Sequence, residues 1–147
     1  MGKKILLVNP WIYDFAAYDF WIKPMGLLYL GGLVRANGHH VSYIDCLDPH
    51  CPEMMHKYQK APRRHPYGHG RFFRTVIEKP AALKMVSRNY CRYGIDPDIF
   101  RDRLLNHTDT DLVLMTSMMT YWYPGVFDAV KIIRDTLPGT PIVLGGK

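Results

Sequence analysis

The chain has 147 residues, of which 48% are hydrophobic and 22% charged. That is one domain's worth of chain with an ordinary globular balance, which excludes wholesale disorder. No apolar run approaches the roughly 18 residues of a membrane-spanning helix. The formal net charge is +6, and it is not spread evenly. Cations crowd between Lys57 and Arg103, including Lys60, Arg71, Arg74 and Arg88, while the flanking segments are close to neutral.

Residues 3–8, Lys-Lys-Ile-Leu-Leu-Val, form a short branched apolar run closed by Asn9-Pro10. A run this short predicts a buried strand, and it lacks the length of a secretory apolar stretch. Three cysteines, Cys46, Cys51 and Cys91, leave one unpaired in any intramolecular scheme. Together these features predict reduced thiols and a cytoplasmic protein. A loop from Trp11 to Pro24 follows and carries six aromatics: Trp11, Tyr13, Phe15, Tyr18, Phe20 and Trp21. Such a density of rings predicts a ligand lid or an interaction surface.

Pro24 introduces a predicted helix over residues 25–36, with Leu27, Leu30, Leu33 and Val34 at helical spacing and Asn37-Gly38 as its stop. Gly31-Gly32 inside it costs about 1 kcal/mol each relative to alanine, which predicts close packing of this helix on a sheet. Residues 41–45, Val-Ser-Tyr-Ile-Asp, read as a second strand, so the opening is a βαβ crossover.

Residues from about 49 to 95 break the pattern. Pro49, Pro52, Pro62, Pro66 and Pro80 with Gly68 and Gly70 interrupt any regular period, which predicts a long irregular basic insert with at most a helical turn over residues 81–86. Asp96-Pro97 predicts a capped helix to about Leu105. Residues 111–116 read as a third strand. Pro124 opens a helix with Val126, Val130, Ile133 and Leu137 on one stripe, and Pro138-Gly139 stops it. Residues 141–144 make a fourth strand before Gly145-Gly146. The alternation predicts an α/β fold: a doubly wound, Rossmann-like (flavodoxin-like) parallel sheet of about four strands in a single domain. A last strand with no helix after it predicts a piece of a longer protein.

Ligands of such sheets bind outside the strand carboxyl ends. Here those ends gather Asn9, Pro10 and Trp11; Asp45 and Cys46; Thr116, Ser117, Met118 and Thr120; and Gly145 and Gly146. No glycine-rich phosphate loop follows a strand, so a flavin- or nucleotide-dependent enzyme lacks its usual signature. Hydroxyls, glycines and methionines suit a large, flat, partly apolar ligand instead. Each has a plainer reading: turn chemistry for Thr116, Ser117 and Thr120, rim packing for Met118 and Met119, and a tight turn for Gly145-Gly146.

The strand Lys3-Lys4-Ile5-Leu6-Leu7-Val8-Asn9-Pro10, the stretch Lys23-Pro24-Met25-Gly26-Leu27-Leu28-Tyr29-Leu30, the turn Asn37-Gly38-His39 and the later strands, in this order, resemble the cobalamin-binding domains that precede radical S-adenosylmethionine cores. The resemblance covers most of the chain outside the insert. It implies a corrinoid over the strand ends, often with its lower nucleotide tail displaced. It also implies a partner domain in the same parent protein, holding a [4Fe-4S] cluster through C-x-x-x-C-x-x-C together with S-adenosylmethionine, for methyl transfer or a related radical reaction. Cys46, Cys51 and Cys91 do not form that triad. The D-x-H-x-x-G of histidine-ligating relatives is also missing: Asn9-Pro10-Trp11-Ile12 stands in its place, which implies no protein imidazole below the cobalt.

Two further readings compete. Cys46, His50, Cys51 and His56 match no structural zinc spacing. The insert interleaves Phe72, Phe73, Tyr90 and Tyr93 with cations, which suits either single-stranded nucleic acid or docking on the parent's other domain. Docking is the favoured reading, with nucleic-acid or protein-partner binding by a non-enzymatic domain as the alternative to the corrinoid function.

Overall fold

The computed structural model describes residues 2–146. Four strands, β1 (Lys4–Asn9), β3 (His40–Asp45), β6 (Leu112–Ser117) and β7 (Ile142–Gly146), form a parallel sheet in the order β3-β1-β6-β7. β1 lies inside it, buried on both faces. Its alternate residues divide the core. Leu6 and Val8, with Val113 and Met115 of β6, join one cluster with the helices α3 (Pro97–Leu105) and α4 (Tyr123–Thr136). Ile5 and Leu7, with Leu114, join a second cluster with Leu27 of α1 (Met25–Ala36). The result is a doubly wound three-layer α/β architecture, as a strand apolar at every position demands.

α1 has the bounds its sequence predicts. Asn37 donates its side-chain amide to Leu33 O at 2.8 Å and Gly38 takes φ +84°. Its two mid-helix glycines part company. A Cβ on Gly31 would stand 2.4 Å from Leu7 Cδ1, so its close packing against β1 is met, whereas Gly32 faces open space. Of the expected stripe Val126, Val130, Ile133 and Leu137, all but the half-buried Val130 are buried, joined by Ala129 and Ile132 of α4. β7 lies at the sheet edge and leaves Val143 and Leu144 about half exposed (53% each).

The insert departs from its irregular expectation. It holds a helix, α2 (Pro52–Tyr58), and two short strands, β4 (Arg74–Val76) and β5 (Cys91–Tyr93). The aromatic loop holds a third, β2 (Ile12–Asp14), and the three form an antiparallel sheet in the order β2-β5-β4. Three-residue strands separated by long turns carry too little periodicity to be read locally; their partners are far away in the chain. The helical turn expected over residues 81–86 is a short 3-10 turn, Ala81–Leu83.

Asp96 also differs from expectation. Its backbone has cap geometry, but its side chain makes no capping bond. The buried carboxylate instead accepts from Lys57 Nζ (2.7 Å), Tyr58 Oη (2.6 Å) and Arg92 Nη2 (3.2 Å). One carboxylate thereby ties α2, β5 and α3 together.

Two stability measurements follow. Gly32→Ala gains helix propensity without a clash and is expected to raise unfolding free energy by about 0.5–1 kcal/mol. Gly31→Val must displace the buried Leu7 and is expected to lose about 1–3 kcal/mol; urea titration of both variants checks the contrast. Burial of Asp96 opposes its charge, but the Lys57 and Tyr58 hydrogen bonds outweigh burial and hold its pKa below the ordinary 3.8. A depressed carboxyl stabilises the fold above its unfolded pKa and loses that contribution as pH falls through the folded value. Asp96→Asn is therefore expected to lose about 1–3 kcal/mol at neutral pH, with the gap to wild type narrowing as pH drops below about 4. A gap of constant size down to acid pH would contradict this role.

Candidate functional site at the carboxyl edge of the sheet

Parallel register decides what reaches this edge. Asn9 stands beside Asp45, Thr116 beside Gly145, and Ser117 beside Gly146, while the β1–β6 pairing ends at Val8 and Met115. Asn9, Asp45, Thr116 and Gly145 thus share one rim. Between the strand ends lies a narrow crevice, lined in part by Asn9, Pro10, Trp11, Thr116, Ser117 and Met118. Its free volume is about 10 Å³, room for roughly one water.

The second sheet explains why the crevice is so small. Ile12 of β2 and Cys91 and Tyr93 of β5 form a cluster with Phe72, with Leu47 just beyond β3 and with Trp122 just beyond β6. This cluster packs between the loops where a doubly wound fold would otherwise open its ligand cleft. Several residues expected to touch a ligand are consequently enclosed by protein. Trp11 is 1% exposed and donates its indole N–H to Ile95 O at 2.6 Å, with Phe100 edge-on at 5.2 Å. Pro10 is buried. Asn9 is buried and donates Nδ2 to Asp45 Oδ1 at 2.8 Å. Cys46 is fully buried, and burial with the nearby Asp45 charge pushes its thiol up. These four side chains serve packing and strand-end geometry, a role their one-letter pattern did not separate from ligand contact.

What remains toward solvent is an outer rim. Thr116, Ser117 and Met118 are half-buried, and Thr120 and Gly145 are exposed. The Ser117 hydroxyl donates to Met119 O at 3.1 Å. A Cβ on Gly145 would meet nothing nearer than 4.0 Å. Gly146 has a structural reason to be glycine: φ is +121° and a Cβ would fall 2.2 Å from Ser117 O.

A polar cluster that the sequence reading passed over flanks the rim. Asp45 accepts the Leu47 backbone N–H at 2.9 Å and lies 3.5 Å from Lys23 Nζ. Tyr43, two residues before Asp45 and so on the same strand face, has its phenol pushed well above the usual range by burial and by the Asp45 carboxylate. The period-2 spacing of Tyr43 and Asp45 was the available signal; Lys23 enters only through the fold.

The other sequence candidates resolve differently. Of the six loop aromatics, Trp11 and Tyr13 are buried while Phe20 and Trp21 are exposed. Phe72, Phe73, Tyr90 and Tyr93 of the insert are all buried, so they offer no open stacking face for a passing nucleic-acid strand. Cys51 does not meet Cys46 at a metal. It is buried, donates to Glu53 Oε2 and accepts from Arg103 Nη2, both at 3.1 Å. Among the described residues no group of three or more His, Cys, Asp or Glu side chains could hold a metal ion. Among the described residues no helix is long and apolar enough to cross a membrane.

Comparison of this chain with known protein families, curated proteins and solved structures finds no match.

The burial of Cys46 and Cys51, whose thiols burial pushes up, predicts that a thiol reagent leaves both unmodified in the folded protein at neutral pH and reacts with them only after denaturation. Mass mapping of the labelled cysteines checks it; fast labelling of Cys46 would show that the rim opens.

Proposed function

We propose that this chain is a corrinoid-binding module, the cobalamin-binding part of a radical S-adenosylmethionine protein. The observation that carries the reading is the convergence of Asn9, Asp45, Thr116 and Gly145 on one rim of a doubly wound parallel sheet, the position where this architecture takes its ligands. The donor set agrees with it in part. The half-buried hydroxyls of Thr116 and Ser117 would accept hydrogen bonds from peripheral amides of a macrocycle. Open space above Gly145 admits a flat ligand, and Met118 offers an adaptable apolar contact.

The crevice of about 10 Å³ limits the mode. A corrin ring would lie across the rim, and a nucleotide tail would not descend between the strands. No histidine lines this crevice, so no imidazole from it would sit below the cobalt. When bound, the corrinoid would supply a cobalt centre that carries a methyl group or an electron. The role of this chain's residues would be to hold and orient it. Cluster and S-adenosylmethionine chemistry would belong to another domain of the parent, since the three cysteines here are buried and not in C-x-x-x-C-x-x-C spacing.

Gel filtration with hydroxocobalamin tests the proposal. The wild-type chain at micromolar concentration is expected to carry corrin absorbance in its own peak. Gly145→Trp, which fills the open rim without disturbing a packed neighbour, is expected to weaken binding at least tenfold, while Gly32→Ala retains it. A colourless wild-type peak, or full binding by Gly145→Trp, refutes this site.

A further inference from the structure

A cavity much larger than the rim crevice lies away from the strand ends. It lies between the aromatic loop and the insert, shares no lining residue with the rim crevice, and has a volume of about 470 Å³. Four cations line it: Lys60 beyond α2, Arg71 and Arg74 leading into β4, and Arg88 before β5. No carboxylate lines it, and none of the four cations forms an ion pair among the described residues. By contrast the neighbouring cations are used. Arg64 pairs with Asp19 at 2.8 Å, and Lys57 and Arg92 pair with Asp96.

The rest of the wall is apolar and aromatic. Phe72 and Tyr93 are held in the second-sheet cluster, with Ala17 packed against it. Tyr93 is further fixed by donating its hydroxyl to Phe15 O at 3.3 Å. Exposed cations without an ion-pair partner, set beside an apolar and aromatic wall, suit an anion that carries an apolar part. Arginine forks match phosphate oxygens two at a time, and four like charges gathered without a counter-charge repel one another until an anion arrives.

We propose that this cavity binds a phosphorylated small molecule with a planar ring, of the nucleoside di- or triphosphate class. Lys60, Arg71, Arg74 and Arg88 take the phosphates, and the accessible rings on the same wall, Phe15, Tyr18 and Tyr58, take the planar ring. The volume is in the range of small-ligand pockets. An inorganic polyphosphate would leave the apolar wall unused. A cavity of about 470 Å³ suits one nucleotide and not a run of stacked bases. This site does not depend on the corrinoid reading.

Isothermal titration of the full chain at low salt with ADP, ATP, inorganic triphosphate and a short oligothymidylate tests it. ADP and ATP are expected to bind, and Arg71→Ala/Arg74→Ala to weaken them at least tenfold. Ala16→Trp keeps every charge but fills the space beside a wall residue that is itself exposed, and it is expected to weaken binding comparably. Arg101→Ala, an exposed cation outside the cavity on α3, is expected to change binding less than twofold. Absence of heat from either nucleotide overturns the proposal, as does unchanged affinity in the double variant or in Ala16→Trp. Inorganic triphosphate binding as tightly as ATP overturns the ring-binding half and with it the nucleotide class. Tighter binding of the oligonucleotide than of the mononucleotides makes this a nucleic-acid face instead.

Discussion

The seating of Trp11 is the constraint on which both layers of this protein depend. β1 ends at Asn9, and three residues later, at Ile12, the chain is already in the second sheet. It makes that step pinned on three sides. The indole donates to Ile95 O and meets Phe100 edge-on. Gly94 passes so close that a Cβ would lie 2.1 Å from Cys46 O and 2.9 Å from Trp11 Cδ1, and its φ of +122° also favours glycine. A Cβ on Gly125, in the first turn of α4, would lie 2.4 Å from Trp11 O. Ile95 N–H completes the join by donating to Cys46 O at 2.8 Å. The buried ring thus fastens the end of β1 to the segment after β5 and to α3, the Ile95–Cys46 backbone bond brings in the end of β3, and Gly94 and Gly125 leave the room that the ring and the Trp11 backbone need. Truncating such a ring costs several kcal/mol in a packed core; here the loss would fall on both sheets at once.

That seating sets the character of the rim. A doubly wound sheet gathers its loops around an opening at the carboxyl edge, and here the opening is largely filled by protein. The residues nearest the strand ends, Asn9, Trp11 and Cys46, are committed inward. The outer ring of Thr116, Ser117, Met118, Thr120 and Gly145 remains presented to whatever lies above. The surface suits a broad ligand that rests on the edge, and it is poorly suited to one that must be swallowed.

The electrostatics of the insert follow a second logic. Some of its bases are held by carboxylates outside it, and one of its own acids is paired too: Asp96 collects Lys57, Tyr58 and Arg92, Asp19 collects Arg64, and Glu53 with Arg103 fastens α2 to α3. The Arg103 hydrogen bond keeps the Glu53 carboxyl down at about 2. Once these pairs are made, four of the cations left without an ion pair, Lys60, Arg71, Arg74 and Arg88, line one concave wall.

The sequence by itself determined the parallel sheet. Strands apolar at every position, such as residues 5–8 and 112–115, must be buried on both faces, and helices with one apolar stripe between them must cover those faces; the reading needs only local pattern. The helix bounds at Pro24 and Asn37-Gly38, the Val126–Ile133–Leu137 stripe and the meeting of Asn9, Asp45, Thr116 and Gly145 on one edge were legible for that reason. Tertiary structure alone decided the rest. β2, β4 and β5 have three residues each and owe their existence to partners some 15 to 80 positions away, so no local period announces them. Whether Trp11 or Cys46 faces ligand or core depends on a sheet that the residues around them do not encode. Lys60, Arg71, Arg74 and Arg88 come from three separate stretches of an apparently shapeless insert. Sequence shows that they are charged, but only long-range pairing brings them to one cavity, because contact order, not composition, determines which distant side chains share a wall.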